Sequence, residues 1–194
     1  RSDRPFTLGY LARICPEKGL HILAEAFNLL TENDGNDNIR LEVAGWLGSR
    51  DEAYFDSVKD QLTSWGLGGR VRYLHGFGRE EKIQFLGGLD VLSVPTPYRE
   101  PKGLFALEAM ANGVPIVQPN HGSYPEYVSR TGGGILVASP TPKDVAEGIQ
   151  KLIDDPALCS DLSARGAAGV REYYTDDRMA EDTLRVYRRH LDAA

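Results

Sequence analysis

Residues 6–30 of the chain are FTLGYLARICPEKGLHILAEAFNLL. The first six, Phe6–Leu11, form a β-rich run that predicts a strand. Apolar residues then recur at spacings of three and four, which is typical of one face of a helix: Leu20, Leu23, Phe27 and Leu30. A strand that leads into an amphipathic helix is the repeating unit of an α/β fold.

The same alternation of strand and helix patterns continues along the chain. We predict five further strands, at residues 41–44, 71–74, 91–94, 115–117 and 134–137. Helical patterns occupy residues 51–65, 80–86 and 104–111, the region around residues 145–153, and two segments that begin at residues 156 and 175. The alternation predicts a doubly wound, Rossmann-like α/β fold, with a parallel six-stranded sheet and helices on both faces.

The length of the chain favours a single domain, residues 1–194. A chain of 194 residues builds one sizeable α/β core and is too short for two. The chain opens at Arg1 without an initiator methionine and soon enters an apolar run. We therefore expect that it is one domain of a longer protein.

Composition narrows the classes of function. The net charge of −6 argues against a nucleic-acid-binding protein, because such proteins gather excess Lys and Arg. No apolar run approaches the roughly 20 residues that span a bilayer, so no transmembrane segment is expected. Cys15 and Cys159 are too few for a disulfide framework, which fits a reducing compartment and predicts a cytoplasmic protein. The histidines lack the spacing of metal ligands, and we expect neither a metal nor a cofactor.

The predicted topology directs attention to two loops. Doubly wound sheets commonly have the strand order 3-2-1-4-5-6, and their ligands bind beyond the carboxyl ends of the strands, where the order reverses. That point lies between the first and fourth strands. We therefore expect the functional site at residues 12–19 and 95–103.

Two basic residues, Arg13 and Lys18, flank the turn in the first loop, and Gly19 stands at the entrance of the helix. A guanidinium and an ammonium group together suit a diphosphate. The alternative is that both are solvated surface cations, and this loop alone does not decide between the two.

The second loop leads into a helix, and the two carry carboxylates that are separated by seven residues. Glu100 precedes the predicted helix start, where free backbone amides and the helix dipole favour an anion. Glu108 lies on a helix with almost no polar face, where a carboxylate is costly to bury without a hydrogen-bond partner. Gly103 permits a ligand to approach the backbone closely. These residues predict the floor of a pocket; the alternative for Glu108 is a structural ion pair with a nearby Lys or Arg.

The E-x7-E pattern of Glu100 and Glu108, followed by AMANGVPIV at residues 109–117, resembles the motif of family-four retaining glycosyltransferases, which have the GT-B fold. The pattern R-x4-K-G at residues 13–19 is similar to the diphosphate-binding loop of that family. The resemblance covers residues 7–187, with the motifs in the same order.

The resemblance implies that the chain is the carboxyl-terminal, donor-binding half of a GT-B enzyme. Such an enzyme binds a nucleotide-diphosphate sugar, such as a UDP or GDP sugar, and transfers a hexose with retention to an acceptor that the sequence does not identify. The amino-terminal acceptor domain would be absent from this chain, so we expect the fragment alone to be inactive. Whether the full-length protein contacts a membrane surface through the absent half stays open.

The resemblance also implies roles for individual residues. Arg13 and Lys18 are expected to hold the donor diphosphate and to stabilise its charge as the glycosidic bond breaks. Glu100 is expected to contact hydroxyls of the donor sugar, as the third catalytic residue, and Glu108 to accept hydrogen bonds from the ribose. The other expected donor-binding residues lie at the helix start and after the third strand: Gly103, Leu104, Phe105, His75, Gly76 and Phe77.

Some positions depart from the family pattern and leave the donor open. Ala12 stands where glycine is common, and His-Gly-Ser at residues 121–123 replaces paired glycines. Two other functions also stay open: a non-catalytic nucleotide-sugar-binding module, and a sugar-nucleotide epimerase with the GT-B fold.

Apolar and aromatic residues fall near helical spacing late in the chain: Tyr173, Tyr174, Met179, Tyr187 and Leu191. They predict a last helix that packs against the sheet; the alternative is a helix that also crosses toward the absent domain, as in the family.

Overall fold

The computed structural model describes residues 4–32, 36, 38–75 and 78–191. Its strands are β1 (Phe6–Leu11), β2 (Ile39–Ala44), β3 (Val71–Leu74), β4 (Val91–Leu92), β5 (Ile116–Pro119) and β6 (Gly134–Val137). They form one parallel sheet in the order β3-β2-β1-β4-β5-β6. The predicted fold class and strand order are confirmed.

Helices follow the strands and cover both faces of the sheet. They are α1 (Leu20–Thr31), α2 (Glu52–Ser64), α3 (Arg79–Gly87), α4 (Leu104–Ala111), α5 (Tyr124–Thr131), α6 (Pro142–Asp154), α7 (Pro156–Tyr173) and α8 (Asp176–Leu191). Helix α1 packs against α2 and α6, whereas α4 and α5 pack against α7. Because parallel strands have both faces covered, the sheet lies in the middle of the core.

Strand β1 is the centre of the fold and is paired on both sides. Leu8 stands opposite Leu41 of β2 and opposite Val91 of β4. The side chains of Leu8 and Tyr10 are almost completely buried. The loop that leaves the carboxyl end of β1 therefore starts from a fixed position between two neighbouring strands.

Strand β4 is shorter than the predicted segment 91–94. The amide of Val94 donates to the Gln118 side chain at 3.3 Å instead of to a neighbouring strand. Pro95 and Pro97 follow and have no amide hydrogen to donate. The strand pairing therefore ends at Leu92, and an irregular loop begins.

Helix α5 is an element that the sequence patterns did not predict. It begins at Tyr124, so that Pro125 lies in the first turn, where the missing amide hydrogen costs no helical bond. Gly132 ends the helix in the left-handed conformation, with φ of 67°. Its sequence, YPEYVSRT, contains a proline and mostly residues of low helix propensity, so it does not stand out as helical.

The prediction that the last helix packs against the sheet is wrong. No described residue of α8 is buried, and Met179, Tyr187 and Leu191 are 68%, 62% and 76% exposed. Tyr174, which precedes α8, does pack on the domain: its ring lies against Tyr127 of α5 with centroids 5.2 Å apart. The apolar face of α8 therefore lies beyond the core.

Within the part of the chain that the structure describes, no helix combines the length and the apolar character that crossing a membrane requires.

Candidate functional site

The two loops singled out from the sequence meet at the carboxyl end of β1. Gly19 has φ of 72°, in the left-handed region that favours glycine. A Cβ atom at this position would lie 2.3 Å from the carbonyl oxygen of Pro95. The absence of a side chain at Gly19 therefore lets the loop after β1 press directly against the loop after β4.

Lys18, Tyr98 and Glu100 form one cluster where these loops meet. The Lys18 ammonium makes an ion pair with the Glu100 carboxylate and lies 2.6 Å from the Tyr98 hydroxyl oxygen. The Tyr98 hydroxyl in turn donates to Glu100 Oε2 at 2.5 Å. The Lys18 and Glu100 side chains are only 13% and 7% exposed, so each needs the opposite charge of the other.

The pKa values of the cluster favour the charged forms. Burial alone would raise the pKa of Glu100, but hydrogen bonds from Lys18 and Tyr98 outweigh it, and the pKa lies below its usual value. Burial alone would lower the pKa of Lys18, but the hydrogen bonds with Glu100 and Tyr98 raise it above its usual value. The cluster therefore holds a carboxylate and an ammonium at neutral pH.

The start of helix α4 binds the other oxygen of Glu100. The amides of Gly103 and Lys102 donate to Glu100 Oε1 at 3.2 and 3.4 Å. Gly103 caps the helix with φ of 55°, and a Cβ atom there would lie 2.9 Å from the Tyr124 ring. Because glycine has no side chain that could cap the helix, the amides of Leu104 and Phe105 have no partner inside the helix.

Glu108 lies on the groove side of α4 and pairs with Lys82 of α3. The Lys82 ammonium is 2.6 Å from Glu108 Oε1. The Lys82 and Glu108 side chains are 33% and 39% exposed. Glu108 is therefore only partly buried, because α4 turns this side chain toward the opening. The alternative of an ion pair with a nearby lysine is what the structure contains.

These residues surround one open groove of about 390 Å³. The expected site residues that line it come from the first loop and from the region of α4. Its described lining is Leu11, Ala12, Lys18, Lys82, Glu100, Lys102, Gly103, Leu104, Phe105 and Glu108.

Arg13 lies in the same loop as Lys18 but outside the groove lining. Its side chain is exposed and forms no ion pair with another described residue. The backbone around it is fixed, because the Tyr10 hydroxyl donates to the Arg13 carbonyl at 2.9 Å and the Ile14 amide donates to the Trp46 carbonyl at 2.9 Å. Arg13 is therefore an exposed charge on a backbone that hydrogen bonds hold in place.

His75 follows β3 and is exposed. Its ring meets Phe55 of α2 edge-on, with centroids 6.0 Å apart, and it is not among the described residues of the groove. Gly76 and Phe77, which were expected near the base, lie outside the described residues.

Tyr98, Lys82 and Lys102 belong to the site but were not singled out from the sequence. Tyr98 and Lys102 lie in the loop that was expected to bind, so an inventory of its polar side chains would have found them. Lys82 had no comparable signal, because it lies on a polar helix among other charged residues. Among the described residues, no three His, Cys, Asp or Glu side chains are grouped so that they could hold a metal ion.

Solved structures of other proteins contain a domain with the same fold as this chain. Sucrose-phosphate synthase from Thermosynechococcus elongatus is 26% identical, with a TM-score of 0.85, over 100% of this chain and 47% of that one. Anabaena HepE, solved in complex with UDP and glucose, is 23% identical, with a TM-score of 0.83, over 93% of this chain and 48% of that one.

Sequence comparison finds related proteins. A D-inositol 3-phosphate glycosyltransferase from Kineococcus radiotolerans is 32% identical over 190 residues, which are 93% of this chain and 43% of that protein. The chain spans less than half the length of the curated relatives that it matches. The model of the family described as glycosyl transferases group 1 matches residues 1–168. That match covers most of the chain, and the protein therefore belongs to the glycosyl transferases group 1 family.

Proposed function

We propose that this domain binds a nucleotide-diphosphate sugar and that the full-length protein transfers the sugar, with retention of configuration, to an acceptor. The observation that carries the proposal is the meeting of Lys18 and Glu100 beside the start of α4, in a groove that Glu108 also lines. This groove offers cations for a diphosphate and carboxylates for hydroxyl groups.

The diphosphate is held by Lys18 and Arg13. Lys18 already lies in the groove as an ammonium, and Arg13 is exposed next to it on a fixed backbone. Negative charge grows on the diphosphate as the glycosidic bond breaks, and the two cations stabilise that charge. Because these side chains supply the positive charge, we expect no metal ion to be required.

The carboxylates select the sugar and the ribose. Glu100 accepts hydrogen bonds from hydroxyls of the donor sugar, and the amides of Gly103, Leu104 and Phe105 lie beside it at the start of α4. Glu108, little more than one turn along the helix, accepts hydrogen bonds from the ribose. The base lies toward the end of β3, at His75, Gly76 and Phe77.

The chemistry follows from the positions of these charges. The leaving diphosphate takes the proton of the acceptor hydroxyl on the face from which it departs, so the new bond forms with retained configuration. The domain contributes positioning and charge stabilisation, and no side chain of this chain forms a covalent bond to the sugar.

A second domain supplies the acceptor site. The relatives are more than twice as long as this chain, which supports an additional, amino-terminal half in the full-length protein. The complex of HepE with UDP and glucose supports a UDP-type donor, with a GDP sugar as the alternative. Two cysteines that are not joined in a disulfide fit a reducing compartment, and we propose that the protein works in the cytoplasm.

Calorimetry with a panel of nucleoside diphosphates tests the donor site. We expect binding by this chain, weakened about tenfold to a hundredfold by Arg13→Ala and by Glu108→Ala, because each removes a charge-assisted hydrogen bond worth about 1.5–3 kcal/mol. Arg40→Ala, at an exposed arginine near the start of β2 and hence at the opposite edge of the sheet, should leave the affinity unchanged. If no nucleoside diphosphate binds, the donor site does not exist.

Product analysis on the full-length protein separates the candidate activities. We expect transfer of sugar with retained anomeric configuration, observed by NMR, and little or no transfer by the isolated domain. Binding without turnover would instead identify a non-catalytic module. A change in the sugar while it remains attached to the nucleotide would identify an epimerase.

A further inference from the structure

Each carboxylate of the groove has a lysine partner, and only one of the two lysines belongs to the loops expected to bind the donor. Lys18 pairs with Glu100, whereas Glu108 is paired with Lys82, which comes from α3. The Lys82 ammonium lies 2.6 Å from Glu108 Oε1, and both residues line the groove. Glu108 was given the ribose above, but Lys82 has no role in the function proposed there.

The pair joins two helices and is not an incidental contact within one helix. Lys82 and Glu108 are separated by 26 residues in the sequence. The positions three and four residues from Lys82 on its own helix carry no acidic side chain: Gly78, Arg79, Phe85 and Leu86. The corresponding positions around Glu108 carry no basic side chain: Leu104, Phe105, Ala111 and Asn112. Neither Lys82 nor Glu108 therefore has a partner of opposite charge three or four residues away along the chain.

The contact uses one oxygen of Glu108 and leaves the second as an acceptor. A carboxylate accepts hydrogen bonds through both oxygens, and a lysine ammonium is a point donor that does not span the two. With Oε1 engaged by Lys82, the rotation of the carboxylate about its last bond is restricted. A ligand with vicinal hydroxyls then meets an acceptor that is already charged and oriented.

We propose that Lys82 is a positioning residue that prepares Glu108 to accept hydrogen bonds from the ribose hydroxyls of the nucleotide. The inference rests on the proposed function, because it requires the ribose to reach Glu108. Lys82 itself touches Glu108 and makes no bond to the nucleotide. Its contribution therefore depends on the hydroxyls of the ligand and on the carboxylate, and it vanishes when either is removed.

Binding of UDP and GDP, each compared with its 2′,3′-dideoxy analogue, tests this assignment by calorimetry. Lys82→Met should weaken binding of the ribonucleotide about tenfold, which corresponds to one hydrogen bond of about 1.4 kcal/mol, and should leave binding of the dideoxy analogue unchanged. Lys82→Arg, which keeps the charge, should retain most of the affinity. In a Glu108→Gln background, Lys82→Met should have no further effect.

Lys143→Met is the matched control, because Lys143 is an exposed lysine on α6 that pairs with Glu147 outside the groove. It should change neither affinity. Equal weakening of ribonucleotide and dideoxy analogue by Lys82→Met would overturn the proposal, because Lys82 would then contact the phosphates or the base directly. Unchanged ribonucleotide binding would overturn it as well. If the wild-type chain binds neither UDP nor GDP, the failure lies in the proposed function and not in the role of Lys82.

Discussion

Gly19 is under two separate constraints, one from its own backbone and one from a neighbour. Its φ of 72° costs an L-amino acid with a side chain about 1–2 kcal/mol. In addition, a Cβ atom would lie 2.3 Å from the Pro95 carbonyl oxygen, which is backbone and not the flexible end of a side chain. The glycine therefore holds together the two loops that form the groove.

Gly19→Ala should lower the free energy of unfolding by about 2–5 kcal/mol, as measured by urea denaturation. The estimate adds the backbone cost to about 1–3 kcal/mol for displacing packed neighbours. Gly66→Ala is the control, because Gly66 has a similar φ of 74° but no atom within 4 Å of the added Cβ. It should cost only about 1–2 kcal/mol. Equal losses in the two variants would mean that the loops separate without resistance.

The sequence located the binding loops but not the pairing of their charges. Arg13, Lys18 and Glu100 were predictable, because they follow strands that meet at the reversal point of a doubly wound sheet. The partner of Glu108 was not, because Lys82 lies 26 residues earlier, on a different helix. Side-chain pairs between elements depend on helix placement, which residue spacing along one element does not encode.

At the scale of elements, the strand and helix patterns of the sequence predicted most of the fold. The six strands and their order were predictable, because each strand is an apolar run between turn residues. Helix α5 was not, because it has a proline in its first turn and consists mostly of residues with low helix propensity. The length of β4 was not predictable either, because the competing acceptor for Val94 is the side chain of Gln118.

Helix α8 adds little to the stability of this chain. None of its described residues is buried, although its exposed residues include Met179, Leu184 and Tyr187. A helix whose apolar side chains stay about half exposed or more removes little apolar surface from water, so its hydrophobic contribution does little to offset its loss of conformational entropy.

A variant that ends at Thr175 should therefore unfold in urea with a free energy within about 1 kcal/mol of the full 194-residue chain. A variant that ends at Asp155 is the control, since it also lacks α7, which packs against α4 and α5. A Cβ atom on Gly133 would lie 2.4 Å from the backbone of Gly166 in α7, so this contact is close. The shorter variant should not fold. A loss of several kcal/mol on removing α8 alone would show that the helix packs on the domain in solution.

The charge of the whole molecule and the charge of its groove have opposite signs. The chain has a net charge of −6. Among the described residues, the groove is lined by the three lysines Lys18, Lys82 and Lys102 against the two carboxylates Glu100 and Glu108. Arg13 adds a further exposed cation beside it. A diphosphate therefore approaches a molecule that repels it at long range and attracts it near the groove.

A salt titration distinguishes the long-range repulsion by the acidic surface from the attraction by the groove cations. The screening length falls from about 30 Å at 0.01 M to about 10 Å at 0.1 M ionic strength. If contacts with the groove cations dominate, the affinity for UDP or GDP should fall several-fold over this range, in the direction expected for screened attraction between opposite charges. Uridine and guanosine carry no phosphate, so their weaker binding should change little over the same titration. The measurement is calorimetry of each nucleotide and its nucleoside at matched protein concentration. Tighter binding of the diphosphates at higher salt would mean that the repulsion of the acidic surface outweighs the groove, and that the lysines are already neutralised by Glu100 and Glu108.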